Sequence, residues 1–104
     1  MSDGAADETA LVALVEGVGA LRPDLDTLAA LLLAAAHLGL SADSRSAARN
    51  LDVAHAHALR ALASIEEAGL VAATRRDART SRTHYALTEA GWSLMEAAAA
   101  RPSS

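Results

Sequence analysis

Four arginines lie close together in one short polar segment, and they are the strongest chemical signal in the sequence. Arg75, Arg76, Arg79 and Arg82 surround a single acid, Asp77. A guanidinium group is permanently charged, and its planar fork of N–H donors matches the oxygens of a phosphate group. The segment is therefore a candidate for phosphate binding. A solvated, solubilising loop is the alternative, since all nine basic residues are arginine and a GC-rich codon bias would produce the same pattern.

The positive charge is confined to the middle of the chain. The formal net charge is −4, which is unfavourable for a nucleic-acid-binding protein. Residues 1–40, however, carry six acids against one arginine, whereas residues 41–88 carry seven arginines against five acids and hold three of the four histidines. The basic excess is thus one continuous stretch on an otherwise acidic protein.

Most catalytic and metal-binding chemistries have no matching residues. The absence of cysteine excludes disulfides, thiolate zinc sites and cysteine nucleophiles. The sequence contains no glycine-rich phosphate loop and no nucleophile with a neighbouring base, so we predict that it is not an enzyme. The histidines, His37, His55, His57 and His84, form no pair at i, i+4 spacing, and we predict neither a metal site nor a cofactor.

The elements that must position these side chains form a single domain. A length of 104 residues suits one domain, with residues 1–7 disordered, a domain over 8–100 and a tail over 101–104. The longest apolar stretch has nine residues, against about 20 for a membrane span, so we expect a soluble cytoplasmic protein. Hydrophobic spacing and turn residues predict a mainly α fold in the order α-α-α-α-β-β-α. The predicted helices are 8–21, 25–38, 44–51, 54–68 and 89–100, and the predicted strands are 70–75 and 82–87.

Capping residues mark several of these helix ends. Asp24 is the expected N-cap of the second helix, Asp43 or Ser44 that of the third, and Thr88 that of the last. The fourth helix begins at Ala54, which cannot cap, so Asp52 is the expected substitute. Gly69 is expected to end this helix in the left-handed conformation.

The segment SAARNLDVAHAHALRALASIEEAGLV, residues 46–71, resembles the helix-turn-helix of winged-helix transcriptional regulators. Val53 closes the turn, and Ala58, Leu62 and Ile65 form the inward stripe of the second helix. Residues 74–91, TRRDARTSRTHYALTEAG, resemble the wing, and the Leu-Thr-Glu-x-Gly step at 87–91 matches the MarR-like families. The resemblance covers about residues 41–100 and points to the MarR-like/ArsR-like superfamily. The chain is short for a typical MarR protein and lacks the cysteine pairs of the thiolate sensors of the ArsR group.

The resemblance implies a winged helix-turn-helix fold that binds double-stranded DNA. In these families the second helix of the motif enters the major groove and the wing contacts the backbone or the minor groove. The outward face of that helix would hold Ala56, Arg60, Ala63 and Glu67. For each contact the alternative is an ordinary solvated side chain. The residues predicted to bind DNA are Arg45, Arg49, His55, His57, Arg60, Arg75, Arg76, Arg79 and Arg82.

The resemblance also implies a homodimer, because one recognition helix covers only a few base pairs. The second predicted helix is apolar nearly all round, so it is covered either by the other helices or by a partner subunit. The residues predicted to form the dimer interface are Leu11, Leu14, Val15, Val18, Leu32, Trp92 and Met95, and core packing is the alternative for them. A small dimer without an effector domain most simply acts as a repressor. Whether a small-molecule effector also binds is left open, since no group of polar residues in the sequence identifies a ligand.

A protein-interaction module is the second hypothesis. Winged helices also dock proteins, and a fold does not fix a function. The outward face of the predicted recognition helix has alanines where hydrogen-bonding residues are common. Leu59 on that helix would meet either a thymine methyl group or an apolar protein surface.

Overall fold

The computed structural model describes residues 3–101, with side chains described from residue 8. It contains five helices and one antiparallel hairpin within this range, so the predicted mainly α class with a small hairpin is confirmed. The helices are α1 (Asp3–Leu21), α2 (Thr27–His37), α3 (Ser44–Leu51), α4 (His55–Glu67) and α5 (Glu89–Ala100), and the strands are β1 (Val71–Arg76) and β2 (Thr83–Leu87). No helix in the described range is long and apolar enough to cross a bilayer.

The first two helices differ from the prediction at their starts. α1 begins at Asp3, five residues before the predicted start, where the sequence predicted disorder. The segment contains no proline and includes two alanines, so it can extend the helix; residues 1, 2 and 102–104 of the predicted tails lie outside the described residues. The prediction that Asp24 caps α2 is wrong. Asp26 caps it by accepting the Ala29 N–H at 2.8 Å, and Asp24 pairs with Arg22 instead.

The core forms where α1, α2 and α5 pack together. α2 is the central helix, and six of its eleven residues are buried within the protomer. α1 and α5 cross so closely at Gly17 that a Cβ atom there would lie 2.7 Å from the Ala98 carbonyl oxygen. Only glycine fits this crossing.

Four residues that the sequence assigned to a dimer interface belong to this core. Leu14, Val18, Leu32 and Met95 are each at most 5% exposed, because they fill the space between the three helices. Their burial in the protomer favours core packing, the alternative interpretation of these positions, and the dimer interface itself stays a prediction. Among the other predicted positions, Leu11 and Val15 are partly buried against the same core, whereas Trp92 is 46% exposed.

Helices α3 and α4 are joined by a tight turn. Asp43 caps α3 by accepting the Ser46 N–H at 2.9 Å, as predicted. Asp52 does not cap α4: it is the C-cap of α3 and adopts the left-handed conformation, with φ at 55°. The N-cap of α4 is Ala54, which makes no side-chain capping bond.

The hairpin follows α4 through Gly69, whose φ of +80° ends the helix as predicted. β1 and β2 pair in antiparallel register from Val71 opposite Leu87 to Arg76 opposite Thr83, with a bulge between Ala73 and Arg75. The chain just before α3 adds a short third edge. There Asp43 bridges His84, and the Tyr85 N–H donates to the Ala42 carbonyl at 3.0 Å. The hairpin is thus attached directly to the start of α3.

Candidate nucleic-acid interface

Helix α4 presents an open face that carries a cation. Its buried residues include Ala58, Leu62 and Ile65, the three positions predicted to face inward. The opposite face exposes Arg60 and His57, and the Arg60 guanidinium has no hydrogen-bond or ion-pair partner among the described residues. A groove of about 310 Å³ runs beside these two side chains, between α4 and the start of α2. The helix therefore has a partly polar surface available for a ligand.

Two neighbouring arginines of β1 lie on opposite faces of the hairpin, and the bulge decides which of them faces the helices. Arg76 pairs across the strands with the buried Thr83, so it lies on the face turned toward the helices. There it donates two hydrogen bonds to the Glu66 carboxylate, at 2.9 and 2.8 Å. Arg75 pairs with His84 on the outer face, is exposed, and has no partner among the described residues.

The turn of the hairpin is closed by its own backbone. The Asp77 N–H donates to the Arg82 carbonyl at 2.9 Å, and the Asp77 carboxylate accepts the Arg79 N–H at 3.0 Å. Asp77 therefore shapes the turn by binding the backbone of Arg79. The Arg79 side chain is exposed and, within residues 3–101, unpaired. Arg75 and Arg79 are the two hairpin arginines free to bind an external anion.

Two further arginines attach the hairpin to α3. Arg45 donates to the Thr80 carbonyl at 2.8 Å. The Arg82 Nε atom lies 3.6 Å from the Asp43 carboxylate. Burial raises the pKa of Asp43, but hydrogen bonds from Ser46 and the nearby charges of Arg82 and His84 outweigh it, so the net pKa lies below its ordinary value. Asp43 is thus a stable anion at neutral pH.

A buried serine lies behind these contacts. The Ser44 hydroxyl accepts the Thr83 N–H at 2.9 Å and lies 2.8 Å from the His55 Nε2 atom. Burial lowers the pKa of His55, and the charges of Arg45 and Arg82 lower it further against the opposing effect of Asp43. His55 is therefore neutral at pH 7 and turned toward Ser44.

The nine predicted DNA-binding residues fall into two groups. Five have exposed side chains without a partner among the described residues: Arg49, His57, Arg60, Arg75 and Arg79. The other four make contacts within the protein: Arg45, His55, Arg76 and Arg82. Two of these, Arg45 and Arg76, are nevertheless exposed residues. Sequence reasoning missed Ser44 and Glu66, the partners of two of them. A serine after a capping aspartate, or a glutamate at a helix end, gives no signal of such a contact.

A second cavity, of about 460 Å³, lies between α1, the end of α2 and α5. This volume is within the range of small-molecule sites, roughly 300–1,000 Å³. Its polar lining comprises Glu16, His37 and Arg101. The His37 ring also contacts Trp92 edge-on, with centroids 5.0 Å apart. The lining of this cavity thus combines an acid with basic side chains.

No family model, curated protein or solved structure matches this chain.

Proposed function

We propose that the protein is a sequence-specific DNA-binding transcriptional regulator with a winged helix-turn-helix fold. In this proposal α4 is the recognition helix in the major groove and the β1–β2 hairpin is the wing. The protein acts as a homodimer and represses transcription by occluding a promoter. The observation that carries the proposal is the arginine-bearing hairpin held beside the open face of α4.

The arrangement of elements supports the winged-helix assignment. α3 and α4 meet at a tight turn closed by the Val53 N–H, which donates to the Ala48 carbonyl at 3.0 Å. The hairpin follows α4 directly, pairs with the chain before α3, and leads into α5. A helix of this size fits the major groove of B-DNA, and a two-stranded hairpin reaches the adjacent backbone.

The distribution of unpaired charge supports DNA as the partner. Arg60 on α4 and Arg75 and Arg79 on the hairpin have no intramolecular partner among the described residues, so their donors are available to phosphates or base edges. Each arginine that neutralises a phosphate releases counterions and strengthens binding in a salt-dependent way.

Exposed apolar side chains support the homodimer. Trp92 on α5 and Val12 on α1 are 46% and 56% exposed in the protomer, so both are available to a partner subunit. A two-fold dimer would place two recognition helices about one turn of DNA apart, roughly 34–36 Å.

A gel-shift titration at two salt concentrations tests the proposal. The probe is a duplex from upstream of the protein's own gene, and the competitor is an unrelated duplex of equal length. We expect binding that favours the upstream probe and weakens as salt increases. Arg60→Ala should reduce the slope of log K against log salt by about 1, as expected for the loss of one phosphate contact. Arg22→Ala is the matched control, because Arg22 is paired with Asp24 near the start of α2.

A protein-docking module is the second candidate, supported by the small and apolar side chains of α4. Ala56 and Ala63 are exposed, and Leu59 is half-buried. Docking through Leu59 would depend little on salt, and Leu59→Asp would abolish it. Affinity for duplex DNA that persists after Arg60, Arg75 and Arg79 are all replaced by alanine would contradict the proposed mechanism.

A further inference from the structure

One buried hydroxyl lies where three elements of the candidate interface meet. Ser44 is the first residue of α3 and is 1% exposed. Its oxygen accepts the N–H of Thr83, the first residue of β2, at 2.9 Å. The same oxygen lies 2.8 Å from Nε2 of His55, the first residue of α4. The contact therefore joins the starts of both helices of the turn motif to the hairpin.

The direction of these hydrogen bonds follows from the donors available. The Thr83 N–H can only donate, so it uses one lone pair of the Ser44 oxygen. If His55 also donated, the Ser44 hydroxyl proton would have no acceptor among the described residues. A neutral His55 with its proton on Nδ1 accepts that proton at Nε2. The result is a chain from Thr83 through Ser44 to His55 in which the Ser44 oxygen and its proton both have a partner.

Charged groups around His55 favour this neutral form. Arg45 and Arg82 are the cations near the imidazole, and Asp43 is the acid near it. Asp43 is already engaged by Ser46 and lies 3.6 Å from the Arg82 Nε atom. Protonation of His55 would turn its Nε2 atom into a donor toward the Ser44 oxygen. The Ser44 hydroxyl proton would then have lost its acceptor. The chain of hydrogen bonds therefore depends on a neutral His55.

Two side-chain contacts between the hairpin and the helices lie at the surface. Arg76 and Glu66 are 58% and 35% exposed in their side chains, and the Arg45 bond to Thr80 is exposed. Exposed ion pairs contribute little because water competes for both partners. A buried hydrogen bond that loses one partner leaves the other unsatisfied, which costs more. Among the side-chain hydrogen bonds described between the hairpin and the helices, that of Ser44 is buried, and it acts together with the core packing of Val71 and Tyr85.

We infer that Ser44 is a positioning residue, which sets the hairpin relative to α4 through Thr83 and His55. Its consequence for DNA rests on the proposed function: the hairpin arginines and Arg60 then form one surface with a fixed spacing. The positioning itself is a property of the fold and can be tested without DNA.

Spin labels provide the test, because the chain has no native cysteine. Ala78→Cys in the hairpin turn and Ala63→Cys on α4 are both exposed positions, and electron paramagnetic resonance measures the distance between labels at them. We expect a narrow distance distribution in the otherwise unaltered chain and a broad or shifted one with Ser44→Ala. Ser93→Ala is the matched control, since the Ser93 side chain is exposed on α5 and makes no hydrogen bond among the described residues. An unchanged distribution with Ser44→Ala, or equal broadening in both variants, would overturn the inference.

Two further measurements separate this inference from a general loss of structure. The distribution should broaden as the pH falls through the pKa of His55, and His55→Gln, which keeps an acceptor, should abolish that pH dependence. If Ser44→Ala does not fold, His55→Ala is introduced instead into the chain labelled at residues 63 and 78. An unchanged distance distribution in that variant would count against the inference.

Duplex binding provides the last comparison. With the proposed function correct, Ser44→Ala weakens binding about tenfold, as expected for a lost buried hydrogen bond. If the unaltered chain binds no duplex and Ser44→Ala still broadens the distribution, the proposed function fails and the positioning role stands. If the chain binds DNA and the variant changes neither affinity nor distance, the positioning role fails alone.

Discussion

The guanidinium of Arg76 donates two hydrogen bonds to the carboxylate of Glu66, at 2.9 and 2.8 Å, and ties strand β1 to the end of helix α4. Arg75, its neighbour in the sequence, is on the opposite face of the strand and has no partner among the described residues. Adjacent residues of the same type thus have different tasks: one holds the hairpin, and the other is free to bind a ligand.

This difference predicts unequal effects of two alanine substitutions on DNA binding. If the protein binds DNA as proposed, Arg75→Ala should weaken duplex binding and lower the salt slope by about 1, because it removes the proposed phosphate contact. Arg76→Ala should leave the slope close to that of the unaltered chain and lower the free energy of unfolding by about 0.2–1 kcal/mol, the usual contribution of an exposed ion pair. Fluorescence anisotropy at several salt concentrations, with urea denaturation of each variant, measures both quantities. Equal slope changes in the two variants would contradict the assignment.

The sequence could not separate Arg75 from Arg76, because the bulge between Ala73 and Arg75 decides which of them faces the helices. In a regular ladder Thr74 would oppose His84, and Arg75 would take the inner position that Arg76 occupies. A bulge depends on how the strand packs, and the residue types at positions 74–76 do not predict it. The inward face of α4 was predictable, since Ala58, Leu62 and Ile65 follow a helical period that burial must satisfy.

The residues of the dimer interface were harder to predict for a different reason. A helical stripe of leucine and valine has the same pattern whether it packs within one chain or against a second one. Leu14 and Val18 satisfy that pattern by filling the protomer's own core. The N-cap of α2 was predicted at the wrong residue for a local reason. Asp24 and Asp26 are both suitable caps by type, and because Asp24 pairs with Arg22, Asp26 caps α2.

Two glycines in α1 should respond oppositely to alanine. A Cβ atom at Gly17 would lie 2.7 Å from the Ala98 carbonyl oxygen, so Gly17→Ala forces α1 and α5 apart, at a cost of about 1–3 kcal/mol. A Cβ atom at Gly19 meets nothing within 4 Å, so Gly19→Ala should stabilise the helix by about 0.5–1 kcal/mol. Urea denaturation followed by circular dichroism compares the two variants. Stabilisation by Gly17→Ala would mean that α1 and α5 do not cross as described.

Self-association should depend on exposed residues and not on the core positions first assigned to it. Trp92→Ala and Val12→Ser should weaken the proposed dimer while leaving the fold intact, because both side chains are exposed in the protomer. Leu14→Ala removes a core side chain that is 5% exposed and should lower the free energy of unfolding by about 2–5 kcal/mol. Light scattering across a concentration series gives the oligomeric state of each variant. A dimer unaffected by both surface substitutions would locate the interface elsewhere.

His55 should make the stability of the protein depend on pH just below neutrality. Burial and the charges of Arg45 and Arg82 lower its pKa in the folded state below the ordinary value of 6.5. In the window between the two pKa values the unfolded chain binds a proton that the folded chain does not. The free energy of unfolding therefore rises with pH through this window, and the contribution is lost as the pH falls below about 6.5.

His55→Gln removes this contribution, so its free energy of unfolding should vary less with pH below about 6.5 than that of the unaltered chain. His57→Gln is the matched control, since His57 is exposed two residues along the same helix. The window lies above the titration of Asp43, whose lowered pKa acts only at more acidic pH. Urea denaturation at a series of pH values gives both profiles, and NMR titration of the imidazole protons gives the His55 pKa directly. Arg45→Gln should raise that pKa, because it removes a cation that opposes protonation. A His55 pKa above 6.5, or one that Arg45→Gln leaves unchanged, would contradict the electrostatic account of this site.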